Sequence, residues 1–304
     1  MNNYKAYIRF TWVLAVFVFL VILAGSVVRM TQSGMGCPDW PTCFGRWIPP
    51  TNASQLPPDF EKYLKLQDID HTFNVYHTWV EYINRLCTAL LGLWMMIHVV
   101  WSYKKFFATR RNIFWLSLSF LLLTAFEAWL GKVVVDTNLS VVKITLHMLL
   151  ALLIAAVAII IISQLDGAEK IDRKRMKWVA NIALVVLLIQ IIIGTDVREQ
   201  IDEISKSFNY QFRNLWIGQL DKVFIIHRSF SWVVAILCVT IMIQSNKIPS
   251  LKKQGIFIAL LVLCLISIGV IMAYGNIPAV VQPMHILLSS ILFISLLYYR
   301  LKFK

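Results

Sequence analysis

The chain has 304 residues, of which 59% are hydrophobic and only 15% charged, with a formal net charge of +13. Soluble domains run at roughly 45–50% apolar and ~25% charged, so this composition excludes a water-soluble enzyme, which would expose large apolar patches, and excludes a disordered chain as well. The positive charge does not point to nucleic acid as a partner, because Lys and Arg of a membrane protein collect in cytoplasmic loops; the partner expected here is the lipid bilayer.

A helix crosses a bilayer with about 20 apolar residues. Eight such runs follow one another: Phe10–Val28, Ile83–Trp101, Ile113–Val135, Val141–Ile162, Trp178–Thr195, Val223–Ile243, Gly255–Tyr274 and Val280–Leu297. The second has an amphipathic first turn that begins near Tyr76. Each run is continuously apolar rather than alternating, which predicts helices and not barrel strands. The first run has a basic start, and Ala24-Gly25-Ser26 loosely resembles a cleavage site. Its ~19 apolar residues nevertheless suit a retained helix better than a signal peptide.

The charges orient the spans. Of 29 Lys and Arg, 17 gather at one set of ends, around Lys5, Lys104–Arg111, Lys170–Lys177, Lys247–Lys253 and Arg300–Lys304, beside only three acids. The opposite loops carry eleven acids, among them Asp59, Glu61, Asp68, Asp70, Asp202 and Glu203. The positive-inside rule then makes both termini cytoplasmic.

Landmarks recur between the two halves. Gly25-Ser-Val-Val-Arg29 ends the first span and Gly194-Thr-Asp-Val-Arg198 the fifth; Asn84-Arg85 opens the second and His227-Arg228 the sixth. Gly131 precedes His147 by 16 residues, and Gly269 precedes His285 by the same interval. The expected fold is therefore an all-α membrane protein of eight transmembrane helices, built as two parallel-repeat four-helix bundles over residues 1–165 and 166–304.

His147, His227 and His285 lie in one plane, roughly 8 Å below the outer surface at 1.5 Å rise per residue. Ionisable groups inside spans are functional candidates, although a single such His also serves as a helix–helix hydrogen bond. His227 and His285 suit two axial imidazoles clamping a haem in a bundle core. Zinc suits them less, because no Cys or carboxylate at that depth in the second half completes a tetrahedral set. Arg198 and Arg228 suit haem propionates or simply snorkel. The first half has Asn84 in place of His227, and adds two intramembrane acids, Glu81 and Glu127, whose counterparts by the repeat offsets are Phe224 and Leu265. They are candidates for proton chemistry, or they pair with Arg85 and Lys132 along the helix. His77, one turn before Glu81, is a candidate ligand or proton shuttle; His71 and His98 read as structural or solvated. Cys37 and Cys43 face the oxidising side, where a disulfide forms if the turn brings their Cα atoms within ~7 Å, and redox activity is the alternative. Cys87, Cys238 and Cys264 read as apolar packing.

Gly34-Met-Gly-Cys37-Pro-Asp-Trp-Pro-Thr-Cys43, Glu81-Tyr-Ile-Asn-Arg85, Asp221–Arg228 and Gln282-Pro-Met-His285 together resemble the heme A synthase family over nearly the whole chain. The resemblance implies oxidation of the C8 methyl group of heme O to the formyl group of heme A, through successive hydroxylations and loss of water. It implies a heme b cofactor at His227 and His285, with Arg198 and Arg228 beside it. It implies a substrate-haem half around His147 and Glu81 as the catalytic acid; read from their positions in this sequence, Glu127 is the helper acid and His77, Asn84, Arg29 and Arg85 are further candidates for the substrate haem. It also implies that Cys37 and Cys43 are the family's loop pair. The partners expected are heme O synthase and the terminal oxidase assembly, in the inner (plasma) membrane with the haem sites near the periplasmic face; self-association is left open. One departure stands out: where the family carries Glu-x-x-His-Arg, this chain has Asn84 in place of the His. The rival readings are a bis-histidine b-type cytochrome that only transfers electrons, for example to quinone, and a haem-free transporter.

Overall fold

In a computed structural model, the described residues are 4–64, 73–137 and 139–304. Asp68, Asp70 and His71 of the first outer loop lie outside them. Eight helices among the described residues are long and apolar enough to cross a membrane: α1 (Lys5–Met30), α2 (Val75–Phe106), α3 (Arg111–Asp136), α4 (Val141–Leu165), α5 (Lys174–Ser207), α6 (Lys222–Ser245), α7 (Pro249–Tyr274) and α8 (Val281–Arg300). Strongly exposed apolar side chains line them, such as Val16, Leu20, Leu122, Val185 and Leu263. In water that surface would be prohibitive, whereas lipid tails solvate it. With hydropathy this high in every span, the backbone hydrogen-bonds within its own helix, because no other partner exists in hydrocarbon.

The ends differ from the apolar runs where polar sequence also favours a helix. α5 continues past Thr195 to Ser207, through a stretch whose Arg198 pairs with Asp202 at 2.8 Å one turn on. At about 51 Å for 34 residues, α5 exceeds a ~30 Å hydrocarbon layer, so its charged end stands beyond the apolar zone.

The chain divides into two compact units, residues 6–161 and 162–304. In the first, α1, α2 and α3 meet at His98, which is fully buried. The Tyr7 ring stacks on it with centroids 4.5 Å apart. Ser117 Oγ lies 2.7 Å and Tyr7 Oη 3.3 Å from its Nδ1, and Thr11 Oγ1 lies 3.0 Å from its Nε2. Of the two roles the sequence allowed for His98, structural and solvated, the structural one holds: its ring joins three helices through groups that hydrocarbon cannot satisfy.

In the second unit, α6 packs on α5 and α7, and α8 packs on the same two helices, closing a four-helix ring. The α6–α7 turn is close: a Cβ on Gly255 would stand 2.6 Å from Ser245 Cβ, and Ser245 Oγ donates to Tyr299 Oη at 2.9 Å. Residues 301–304 fold back on the segment after α4. There Ile171 N–H donates to the Lys302 carbonyl at 2.8 Å, and Lys302 Nζ pairs with Asp166 at 2.9 Å. Burial alone would raise the Asp166 carboxyl, but the bonds from Lys302 and the Ala168 N–H outweigh it and hold the group below the usual carboxylate range.

Two outcomes are expected from this packing. His98→Ala strands three hydroxyls and opens a cavity, lowering stability by more than about 2 kcal/mol, while Ser117→Ala costs about 0.5–1 kcal/mol, both read by thermal unfolding in detergent. Because Asp166 is depressed in the fold, its contribution is complete above the ordinary carboxylate range and disappears as pH falls through the lowered value. Asp166→Asn is therefore expected to loosen residues 166–171 to protease at neutral pH and to match the unmodified protein in strong acid.

Candidate functional site

Four glycines each look onto a polar side chain of the neighbouring helix. A Cβ built on Gly194 of α5 would stand 2.9 Å from His227 Cε1 of α6, one on Gly131 of α3 3.4 Å from His147 Cε1 of α4, and one on Gly269 of α7 4.0 Å from His285 Cε1 of α8. The fourth, on Gly25 of α1, would stand 3.9 Å from Asn84 Oδ1 of α2. Only at Gly194 would the added carbon collide with the ring; at Gly131 it would be tight, and at Gly25 and Gly269 it would make ordinary contact.

In the second unit His227 and His285 sit on α6 and α8, which both pack against α5 and α7. Gln190, one turn before Gly194, donates Nε2–H to the His227 carbonyl at 3.0 Å and stands 3.2 Å from its Nδ1. His285 Nδ1 is buried without a hydrogen-bond partner. Arg198 is held by Asp202, and the exposed Arg228 lies 5.9 Å over the Phe224 ring.

In the first unit, His147 Nδ1 stands 3.1 Å from Glu127 Oε1. Lys132, the helical alternative for Glu127, instead pairs with Asp136. Asn84 Oδ1 and Glu127 Oε2 are buried without hydrogen-bond partners. Glu81 is only 4% exposed. Its Oε2 accepts the Cys37 N–H at 2.8 Å and its Oε1 accepts from Arg85 Nε at 3.1 Å, so the helical pairing with Arg85 is realised. Arg85 uses every donor it has: Nε and Nη2 to Glu81, Nη2 to the Cys37 carbonyl, and Nη1 to the carbonyls of Asp39 and Thr42. A guanidinium with five N–H groups has thereby organised a loop around one buried carboxylate.

That loop is closed by a disulfide between Cys37 and Cys43. Asp39 ties it internally, accepting from Thr42 Oγ1 and from the Phe44 and Gly45 N–H groups. Both cysteines and Phe44 are buried, with Leu56, Tyr63, Phe73 and Tyr82 packed around them. Gly36 meets the first turn of α2 so closely that a Cβ there would lie 2.3 Å from the His77 carbonyl oxygen. His77 itself sits in that turn, its N–H donating to the Asn74 cap at 3.2 Å. Arg29 is half-buried in the last turn of α1.

Sequence reasoning missed Gln190 and Gly36. Gln190 had a signal, as the one polar residue in the apolar stretch 182–193. Gly36 had none, since its constraint comes from a backbone 41 residues away in sequence. Gly36→Ala and Arg85→Lys are both expected to undock the loop, the first by collision and the second because an ammonium cannot span these acceptors. Each is expected to lose about 2 kcal/mol of docking, read as faster proteolysis within residues 37–50.

The profile of the COX15-CtaA family, described as cytochrome oxidase assembly protein, matches residues 8–297. The heme A synthase of Rickettsia felis is 23% identical over 93% of this chain and 94% of its own length, and that of Wolbachia pipientis wMel is 25% identical over 94% and 89%. The heme A synthase of Shewanella oneidensis is 31% identical over a shorter stretch, 46% of this chain and 41% of that protein. With a profile match running from the first helix to the last, the chain belongs to the COX15-CtaA family.

Proposed function

We propose that this protein is a heme A synthase, a membrane oxidoreductase that oxidises the C8 methyl group of heme O to the formyl group of heme A for terminal oxidases. The observation that carries the reading is the set of glycine-backed positions holding Asn84, His147, His227 and His285, in a chain whose full-length relatives bear that name. The same pairing at corresponding places of the two units supports two parallel repeats, residues 1–165 serving the substrate and 166–304 the cofactor. The 17 cations at one set of helix ends support cytoplasmic termini, with the sites towards the periplasmic face of the inner membrane.

The second unit fits a haem cofactor. His227 and His285 are carried by α6 and α8, which pack on the same two helices, Gly194 leaves the space that a side chain would fill at His227, and no cluster of three or more His, Cys, Asp or Glu among the described residues suits a bare metal ion. His227 and His285 would hold heme b, Gln190 steadies the His227 ring, and Arg198 and Arg228 would pair with its propionates. Heme b, when bound, supplies a one-electron centre.

In the first unit His147 receives the iron of heme O. Glu81 handles protons beside the substrate methyl, and its buried position against the Cys37 N–H supports a shielded site for that role. Arg85 acts through the loop it anchors, Arg29 lies at the corresponding arginine position of α1, and Glu127 stands against His147. Heme O synthase and the oxidase assembly are the partners that would supply the substrate and take the product.

Haem extraction and chromatography of protein co-expressed with a heme O source is expected to yield heme b together with heme O or heme A. Heme b alone would mark an electron-transfer cytochrome instead. Glu81→Ala is expected to lower heme A by roughly a hundredfold or more with heme b retained. Proteolysis of residues 37–50 separates that effect from loss of the loop, and retained conversion would refute the proton role.

A further inference from the structure

We propose that the first-half site holds its substrate iron through a single axial side chain, His147 braced by Glu127, and keeps the face towards Asn84 open to a small diatomic ligand such as dioxygen or carbon monoxide. The inference rests on the function proposed above and concerns the one glycine-backed position of the four that lacks an imidazole.

Gly25 opposes Asn84 as Gly194 opposes His227. A glycine thus faces this position too, in looser contact at 3.9 Å, but the side chain it faces is a carboxamide, which is shorter than imidazole and a poor donor to haem iron; His, Cys, Met and Tyr are the usual axial ligands. Asn84 Oδ1 is buried and has no hydrogen-bond partner, so the amide is not tied to a neighbouring helix. Its N–H groups are suited to donate to a ligand bound at the iron. His77 does not take the vacant role: it lies seven residues earlier, about 10 Å along the axis, with its carbonyl pinned beneath Gly36.

The opposite face is strengthened. Glu127 Oε1 stands 3.1 Å from His147 Nδ1, near enough to pair with it, and a carboxylate behind a ligating histidine makes the other ring nitrogen a stronger donor. The matching place in the second unit is Leu265, a buried apolar residue, and there two imidazoles, His227 and His285, would be available to the iron. One half would then be coordinatively saturated for electron transfer and the other open for ligand chemistry. Glu127 is a positioning residue in this scheme, acting through His147.

The test uses the full-length protein, purified after co-expression with a heme O source, reduced and exposed to carbon monoxide. One of the two bound haems is expected to be high-spin and to bind carbon monoxide. Asn84→His is expected to turn that haem low-spin and weaken carbon monoxide binding about tenfold or more. Glu127→Gln is expected to lower the iron–histidine stretching frequency in resonance Raman spectra without moving the signals of the second-half haem. Should Asn84→His not fold, Asn84→Leu decides through the bound carbon monoxide, whose stretching band is expected to rise when the amide donor is lost. Two low-spin haems, both silent to carbon monoxide, would overturn the inference while leaving the synthase reading intact. An unchanged band in Asn84→Leu, or an unchanged iron–histidine frequency in Glu127→Gln, overturns the role of that residue. A preparation holding heme b alone overturns both the inference and the reading it rests on.

Discussion

At Gly194 a helix backbone comes so close to the His227 ring of the neighbouring helix that only glycine fits, while Gly131, Gly269 and Gly25 face His147, His285 and Asn84 at looser contact. In hydrocarbon no hydrophobic force draws helices together, so close approach through small residues is what lets two of them pack with a polar ring between. A methyl group on Gly194 would stand 2.9 Å from the His227 ring, and the ring or the helix would have to shift. The placement of His227 therefore depends on what faces it, as well as on its own position along the span.

Charge sets the second constraint. A carboxylate or guanidinium taken out of water must be paired and hydrogen-bonded, or it is severely destabilising. Glu81 and Arg85 satisfy each other along α2, and the remaining guanidinium donors are met by carbonyls of the loop closed by Cys37 and Cys43. The loop and the buried pair thus require one another: the carbonyls complete the arginine, and the arginine gives an otherwise irregular backbone its partners. In the second unit the polar contact at the histidine is made by Gln190 on His227. On the function proposed here, the units share one frame and differ in what they leave unsatisfied.

How much could be read in advance varied with the range of the interaction. The eight helices were legible because hydropathy is a property of each segment alone. The second helix begins at Val75, beside the expected first turn near Tyr76. The end of α5 was not legible, because residues 196–207 are polar and extend the helix by local pairing rather than by an apolar run. The Glu81–Arg85 bond, four residues apart on one helix, was readable from spacing. The partner of Glu127 was not: spacing offered Lys132, but Lys132 turned to Asp136 and Glu127 to His147 on the next helix. His98 illustrates the same limit. A histidine near the cytoplasmic end of a span reads as solvated or structural until three helices are seen to converge on it.

Composition and hydropathy by themselves determined that this is a multi-pass helical membrane protein, because the free energy of placing each 20-residue segment in lipid is nearly independent of the rest of the chain. The order of glycines, histidines and the loop cysteines likewise determined which residues were candidates. Tertiary structure alone decided which candidates hold one another: Glu127 against His147, Gln190 against His227, Gly36 beneath the first turn of α2, and the loop carbonyls around Arg85. These contacts join residues that no helical period brings together. They arise because buried polar groups must find partners wherever the packing of neighbouring helices offers them.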